Sequence, residues 1–330
     1  MHISDETSRQ EGVSVILPVL NEEPYLTQAV GAILSQDYLG QMEIVLSIGP
    51  SKDRTLEVAQ GLAAQDSRVV LIENPTGRTA AGLNLALSKS RFPIIVRVDG
   101  HAEIPRNYIS LAVNILNETG AVNVGGMMAA QGVTPFEKAV AGAMRSPLGV
   151  GASRFHTGGS AGSVDTVYLG VFLRSALMSV GGFDERFTRA QDWELNFRLR
   201  KAGGVVYFDP RLHVLYRPRP TLKALSKQYF EYGRWRRVVT RRHIGTVNLR
   251  YLAPPLALIG TVASLVAGIF LSPILFVPAG VYLAFLMVAS LGIGKTLGEK
   301  LRLPAILLTM HMSWGAGFLT SPRTLVPEGE

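Results

Sequence analysis

The chain has 330 residues, 47% of them apolar, and carries 33 Lys and Arg against 25 Asp and Glu for a net charge of +8. That length and apolar content allow one large domain or two, and the positive balance suits nucleic acid, anionic lipid or a phosphorylated substrate. Cysteine is absent, which excludes disulfides and thiolate metal sites and leaves Asp, Glu and His as the ligands for any metal.

Residues 1–12, MHISDETSRQEG, are polar and mixed in charge without the apolar core of a signal peptide, and read as a disordered lead-in. Residues 13–245 read as an α/β domain. VSVILPVL is the continuous apolar, β-branched run of a strand buried on both faces, and YLTQAVGAIL has helical spacing at Leu26, Val30, Ile33 and Leu34. MEIVLSI, RVVLIEN and PIIVRVD read as further strands, with helices in TLEVAQGLAAQ and RTAAGLNLALSKS. Alternating strands and helices imply right-handed crossovers and a mostly parallel sheet, with ligands beyond the carboxyl ends of the strands. Those ends carry Pro18, Asn21 and Glu22, then Asp53, then Arg78, then Asp99 and His101.

From Tyr251 to Gly294 no side chain is charged, and Ser272-Pro273 divides the run into two segments of membrane-spanning length, about 252–271 and 275–293. Arg236, Arg237, Arg241, Arg242 and Arg250 precede the run and Lys295, Lys300 and Arg302 follow it, so the positive-inside rule puts both ends in the cytoplasm. A third apolar stretch, about 303–320, is marginal in length and reads as an interfacial or third apolar helix, with Trp314 near the headgroups. Residues 246–330 are thus a membrane region; a buried helical subdomain of a soluble protein is the alternative.

PVLNEE after the first strand, GPSKDRT after the second, AAGLNLAL, VRVDGH, and later GGFDERFTRAQDWELNFRLRKAGG, taken in order, resemble the family 2 inverting glycosyltransferases. The resemblance covers roughly residues 13–235. With YFEYGRWRR and the C-terminal hairpin, it is nearest to the membrane-bound enzymes of exopolysaccharide assembly, the succinoglycan glucosyltransferase type. It implies a GT-A fold, Rossmann-like with a mostly parallel sheet, followed by a transmembrane hairpin. It also implies a bacterial plasma-membrane protein, multi-pass, with a cytoplasmic catalytic domain.

In the family the fourth strand ends in Asp-x-Asp, whose carboxylates reach the ribose and the divalent cation, Mn²⁺ or Mg²⁺, on the donor diphosphate. Here the motif reads Asp99-Gly100-His101, and imidazole is a competent ligand for Mn²⁺. The resemblance gives Pro18, Asn21, Glu22, Asp53, Arg78 and Asp99 to the nucleotide sugar, with Glu22 accepting from a uracil N–H. Ile48 and Gly49 stand where relatives carry an Asp pair, which leaves the role of Asp53 open. A Glu-Asp pair at a helix start supplies the catalytic base in the family; this chain has Gln191-Asp192, and Asp192 is taken as the base. Glu194 lies about 160° round the helix from Asp192. The resemblance assigns Gly159 and Ser160 to an acceptor loop, with a plain flexible linker as the alternative. It assigns Arg234 to the diphosphate and Trp235 to stacking on the acceptor sugar, although Glu231 replaces the usual Gln.

The function implied is transfer of a hexose from a nucleotide sugar, UDP-linked, to a polyprenyl-linked sugar. A bare polyprenyl phosphate acceptor and a catalytically silent membrane scaffold are the alternatives. A nucleic-acid partner is not expected, because the basic residues gather before the hairpin and not within a recognised nucleic-acid fold.

Overall fold

The computed structural model describes residues 11–326, so the lead-in expected over residues 1–12 lies outside the described residues but for Glu11 and Gly12. The strands are β1 (Val13–Val19), β2 (Met42–Ile48), β3 (Val69–Glu73), β4 (Ile94–Arg97), β5 (Asn123–Ala130), β6 (Gly162–Ser163), β7 (Tyr168–Leu173) and β8 (Val206–Tyr216). Helices α1 (Leu26–Leu34), α2 (Thr55–Gln65), α3 (Thr79–Lys89), α4 (Tyr108–Thr119), α5 (Pro135–Met144), α6 (Pro147–Val150) and α7 (Arg154–Thr157) come first. They are followed by α8 (Arg174–Ser179), α9 (Gln191–Lys201), α10 (Leu222–Arg242), α11 (Leu249–Phe270), α12 (Val277–Ile293) and α13 (Leu297–Thr320).

The chain separates into two compact units. One holds the residues up to Met128 with Gly159–Leu215, the other Ala129–Gly158 with the residues from Tyr216 onward. Whereas the composition shift suggests a boundary at 245, α5 to α7 and α10 group with the C-terminal helices, because polar-faced helices can serve the packing of an apolar region that composition alone singles out.

The first unit is built on an eight-stranded sheet of order β3-β2-β1-β4-β7-β5-β8-β6. β1, β2, β3 and β4 run parallel, while β7 runs antiparallel to β4 and β5, and β6 to β8. Central β1 is buried on both faces, as its unbroken apolar sequence requires. Val13, Val15 and Leu17 pack on one side with Leu26, Val30 and Ile33 of α1 and with Ile109 of α4. Ile16, Val45 and Ile95 pack on the other side with Leu83 and Leu87 of α3 and Leu195 and Leu199 of α9. Each such side chain contributes about 1.5–3 kcal/mol by leaving water, and the two layers together fix which ends of β1, β2 and β4 share an edge.

In the second unit α11 and a 3₁₀ turn leading into α12 supply two helices long and apolar enough to cross a membrane, Arg250–Phe270 and Pro273–Ile293. Their outward side chains are apolar and exposed, with Ile269 at 67%, Phe270 at 78% and Val288 at 67%. The turn between them is held by Ser264, whose hydroxyl donates to the Leu275 carbonyl at 2.5 Å and accepts from the Ala279 N–H at 3.1 Å. The 303–320 stretch is helical as part of α13, which packs along α10, α11, α12 and α5 and buries Leu303, Ile306, Leu307, Met310 and Phe318. Glycines allow the close crossing of α10 and α13: a Cβ on Gly233 would meet the Trp314 carbonyl oxygen at 2.0 Å, and one on Gly317 the Phe230 carbonyl oxygen at 2.0 Å.

Candidate active site

The parallel neighbours β2, β1 and β4 deliver their following loops to one edge of the sheet. After β1 the chain turns through Asn21, which adopts φ 55°, a left-handed conformation that Asn tolerates better than most residues. Its side chain accepts from the Lys52 N–H at 2.8 Å and its own N–H donates to Ser51 Oγ at 2.9 Å. The Glu22 N–H donates to Thr55 Oγ1 at 2.8 Å, and the Glu23 N–H to Asp53 Oδ2 at 3.2 Å. Asp53 also accepts from the Thr55 hydroxyl at 2.5 Å, a bond that with the backbone N–H groups of Thr55 and Glu23 holds its carboxyl below the ordinary aspartate value. Asn21 and Asp53 therefore stitch the two loops together. Pro18 lies in the strand itself, opposite Ser47, and Gly82 of α3 approaches it so closely that a Cβ there would sit 3.3 Å from the proline Cβ.

The loop after β4 meets the loop after β1. His101 Nδ1 lies 2.8 Å from Glu22 Oε1. Gly100 is needed for space: a Cβ on it would come within 3.0 Å of Glu22 Cγ. Gly100 also sits in the turn that follows β4, closed by the Ala102 N–H donating to the Asp99 carbonyl at 2.9 Å. Glu22 thus faces the imidazole of His101 through one carboxylate oxygen, because the loops of adjacent strands bring the two side chains together.

Arg97, the last residue of β4, connects the motif to α9. Its side chain is 5% exposed; Nη2 donates to Asp99 Oδ1 at 3.1 Å and Nη1 donates to Asp192 Oδ1. Asp192 sits in the first turn of α9 behind Ala190, which has φ 60°. Glu194 faces elsewhere, buried and ion-paired with Arg198 at 2.7 Å. Trp193 and Phe197 stack with ring centroids 5.7 Å apart and serve packing. Reading motifs passed over Arg97, although a cation inside the otherwise apolar PIIVRVD was its signal.

Arg78 is exposed at the start of α3. Gly159, with φ 128°, and Ser160 are exposed in the loop before β6. In the second unit Arg234 pairs with Glu231 at 2.8 Å and lies over the Phe230 ring at 5.6 Å. Trp235 is 3% exposed and offers no open ring face of the kind a stacking sugar requires, so the stacking expectation is corrected: on α10 this position points into packed structure.

A divalent ion on a diphosphate needs only one or two protein ligands, since phosphate oxygens and water complete its octahedron. Among the described residues no three acidic or imidazole groups converge into a metal cage, but Asp99 and His101 fit the smaller requirement. Glu22 beside Nδ1 is the kind of carboxylate partner that metal-bound histidines commonly have.

The sequence model described as glycosyl transferase family 2 matches residues 14–181. The chain belongs to this family. It is 31% identical over 326 residues, 96% of both chains, to the succinoglycan biosynthesis protein ExoA of Rhizobium meliloti (strain 1021). It is 24% identical over 250 residues, 73% of this chain and 77% of the other, to the dolichyl N-acetyl-alpha-D-glucosaminyl phosphate 3-beta-D-2,3-diacetamido-2,3-dideoxy-beta-D-glucuronosyltransferase of Methanococcus voltae. Among solved structures, the mannosyltransferase PcManGT of Pyrobaculum calidifontis, in complex with GDP-Man and Mn²⁺, superposes with TM-score 0.67 at 21% identity, covering 95% of this chain and 88% of that one. The GT-A fold expected from the motifs is therefore the fold of this glycosyltransferase, and the site just described lies at its sheet edge.

Proposed function

We propose that this glycosyltransferase is an inverting, metal-dependent enzyme of the bacterial plasma membrane. It moves a hexose from a nucleotide sugar, UDP-linked, to a lipid-linked sugar in exopolysaccharide assembly. The observation that carries the reading is a partly exposed carboxylate, Asp192, tied through one buried arginine to the Asp99-x-His101 motif. Asp192 takes the proton of the acceptor hydroxyl as that oxygen bonds to the anomeric carbon, while the bond to the diphosphate breaks and the leaving group departs with its electron pair. A single displacement inverts the anomeric centre. A divalent ion, when bound, neutralises the departing diphosphate; Asp99 and His101 would hold it. Asn21 and Asp53 keep the donor-side loops in register, Arg78 reaches phosphate or base, Gly159 and Ser160 contact the acceptor, and Arg234 approaches the diphosphate.

Several observations support the finer parts. The PcManGT complex contains a nucleotide sugar and Mn²⁺. The Methanococcus voltae relative is named for a lipid-linked phosphosugar substrate, and the Rhizobium meliloti relative for succinoglycan biosynthesis. Two apolar helices next to cationic residues on both flanks suit a hairpin with both ends in the cytoplasm.

The test is nucleotide release from UDP-, GDP- and dTDP-sugars by detergent-solubilised protein with Mn²⁺ or Mg²⁺ and a polyprenyl-linked sugar extract, with Asp192→Asn in parallel. Metal-dependent release from one donor, reduced about 10²–10⁴-fold in the variant, is expected for a positioned general base. Release that survives Asp192→Asn removes the base assignment. Transfer to bare polyprenyl phosphate moves the acceptor down one step, and no release despite intact nucleotide binding makes the chain a silent scaffold.

A further inference from the structure

We propose that Arg97 is a positioning residue, which holds the carboxylates of Asp99 and Asp192 in one arrangement so that the donor side and the base side of the reaction are aligned; this rests on the reading of Asp192 as base. Three observations carry it.

First, Arg97 occupies a core position. It lies two residues after Ile95, which packs with α3 and α9, and on the same face of β4. Its side chain is 5% exposed and its Nε is buried without a hydrogen-bond partner. A buried ion pair is a weak source of net stability, and an unmet N–H detracts from it further. An apolar residue of similar size would serve the fold as well or better.

Second, the two carboxylates do not need the arginine for solvation. Asp99 is 23% exposed and Asp192 32% exposed, so each has water available. What Arg97 supplies is a link between the loop after β4 and the first turn of α9. The planar guanidinium offers N–H groups in two fixed directions; a lysine ammonium is a point charge on a flexible stem and cannot reproduce that fork.

Third, the start of α9 is set by a residue in an unfavoured conformation, Ala190 at φ 60°. Such a conformation persists where the surroundings over-determine it, and the Arg97 contact lies two residues further on. A base displaced by about 1 Å loses roughly 10² in rate.

The experiment uses the full chain in detergent, with Arg97→Met and Arg97→Lys each made alone and in the Asp192→Asn background. It reads melting temperature, donor KM, and kcat by single turnover with radiolabelled donor. The expected result is that Arg97→Met lowers kcat about 10²-fold with a melting temperature within about 4 °C of the parent. Arg97→Lys should keep the charge and the fold yet recover less than about tenfold of the lost kcat. In the Asp192→Asn background the same substitutions should change the residual rate less than about threefold, as for groups acting as one unit. Equal losses in both backgrounds would overturn the inference while leaving Asp192 as base. So would a large drop in melting temperature in Arg97→Met together with wild-type kcat in Arg97→Lys, which would make the residue a packing element. Wild-type transfer by Asp192→Asn would remove the base assignment and this inference with it.

Discussion

Glu22 and His101 show how a single contact adds a second role to a side chain. With Nδ1 of His101 2.8 Å from its Oε1, Glu22 is placed to orient the imidazole, while its second oxygen remains an acceptor. Loss of such an orienting carboxylate typically weakens metal binding 10–100-fold. Glu22→Gln should therefore raise the Mn²⁺ dissociation constant in the presence of nucleoside diphosphate by about that factor, read by electron paramagnetic resonance of free Mn²⁺. An unchanged titration would return Glu22 to the nucleotide. Gly100 belongs to the same contact, since a side chain there would push on Glu22.

At the scale of elements, the crossing of α10 and α13 depends on having no Cβ at two points. Gly317→Ala places a methyl 2.0 Å from the Phe230 carbonyl oxygen, backbone against backbone, and overpacking of this kind costs about 1–3 kcal/mol. A lower melting temperature in detergent is expected. Gly292→Ala on α12, where a Cβ would have nothing within 4 Å, should leave it unchanged or raise it.

Helix α5 carries an acid-sensitive cap. The backbone N–H groups of Thr134 and Val133, with Arg217, hold the Glu137 carboxyl below its ordinary value of 4.5. Because the folded-state value is the lower one, the contribution is present above 4.5 and is lost as pH falls through and below it. Unfolding of the parent should become easier across that acidic window, and Glu137→Gln should flatten the dependence there. A variant that tracks the parent at every pH would show that the cap contributes nothing.

On the scale of the whole molecule, the uncharged stretch from Tyr251 to Gly294 and the cations on both sides of it make a testable topology. The native chain has no cysteine, so a single cysteine reports one position without background. Ser272→Cys should react with an impermeant maleimide added outside intact cells, and Lys295→Cys only after the membrane is opened. Equal labelling of both from outside would discard the cytoplasmic orientation. No labelling of Ser272→Cys under any condition short of detergent would leave the turn buried in protein or bilayer.

The strand and helix alternation, the loops at the carboxyl ends of the first strands and the long apolar run were legible in the sequence alone. Hydrophobic periodicity is a local property, and each of these features needs only neighbouring residues to appear. Motif order extended that reading to the family and to Asp99, His101 and Asp192 as candidates. What the tertiary structure decided was pairing. Arg97 joins residues two and 95 positions away, Glu22 meets a histidine 79 positions away, and Trp235 turns inward. None of these follows from local spacing, because the partner of a side chain is set by which strands lie side by side and which helix face is covered. The same reason explains why residues 129–158 group with the C-terminal helices although their composition marks no boundary.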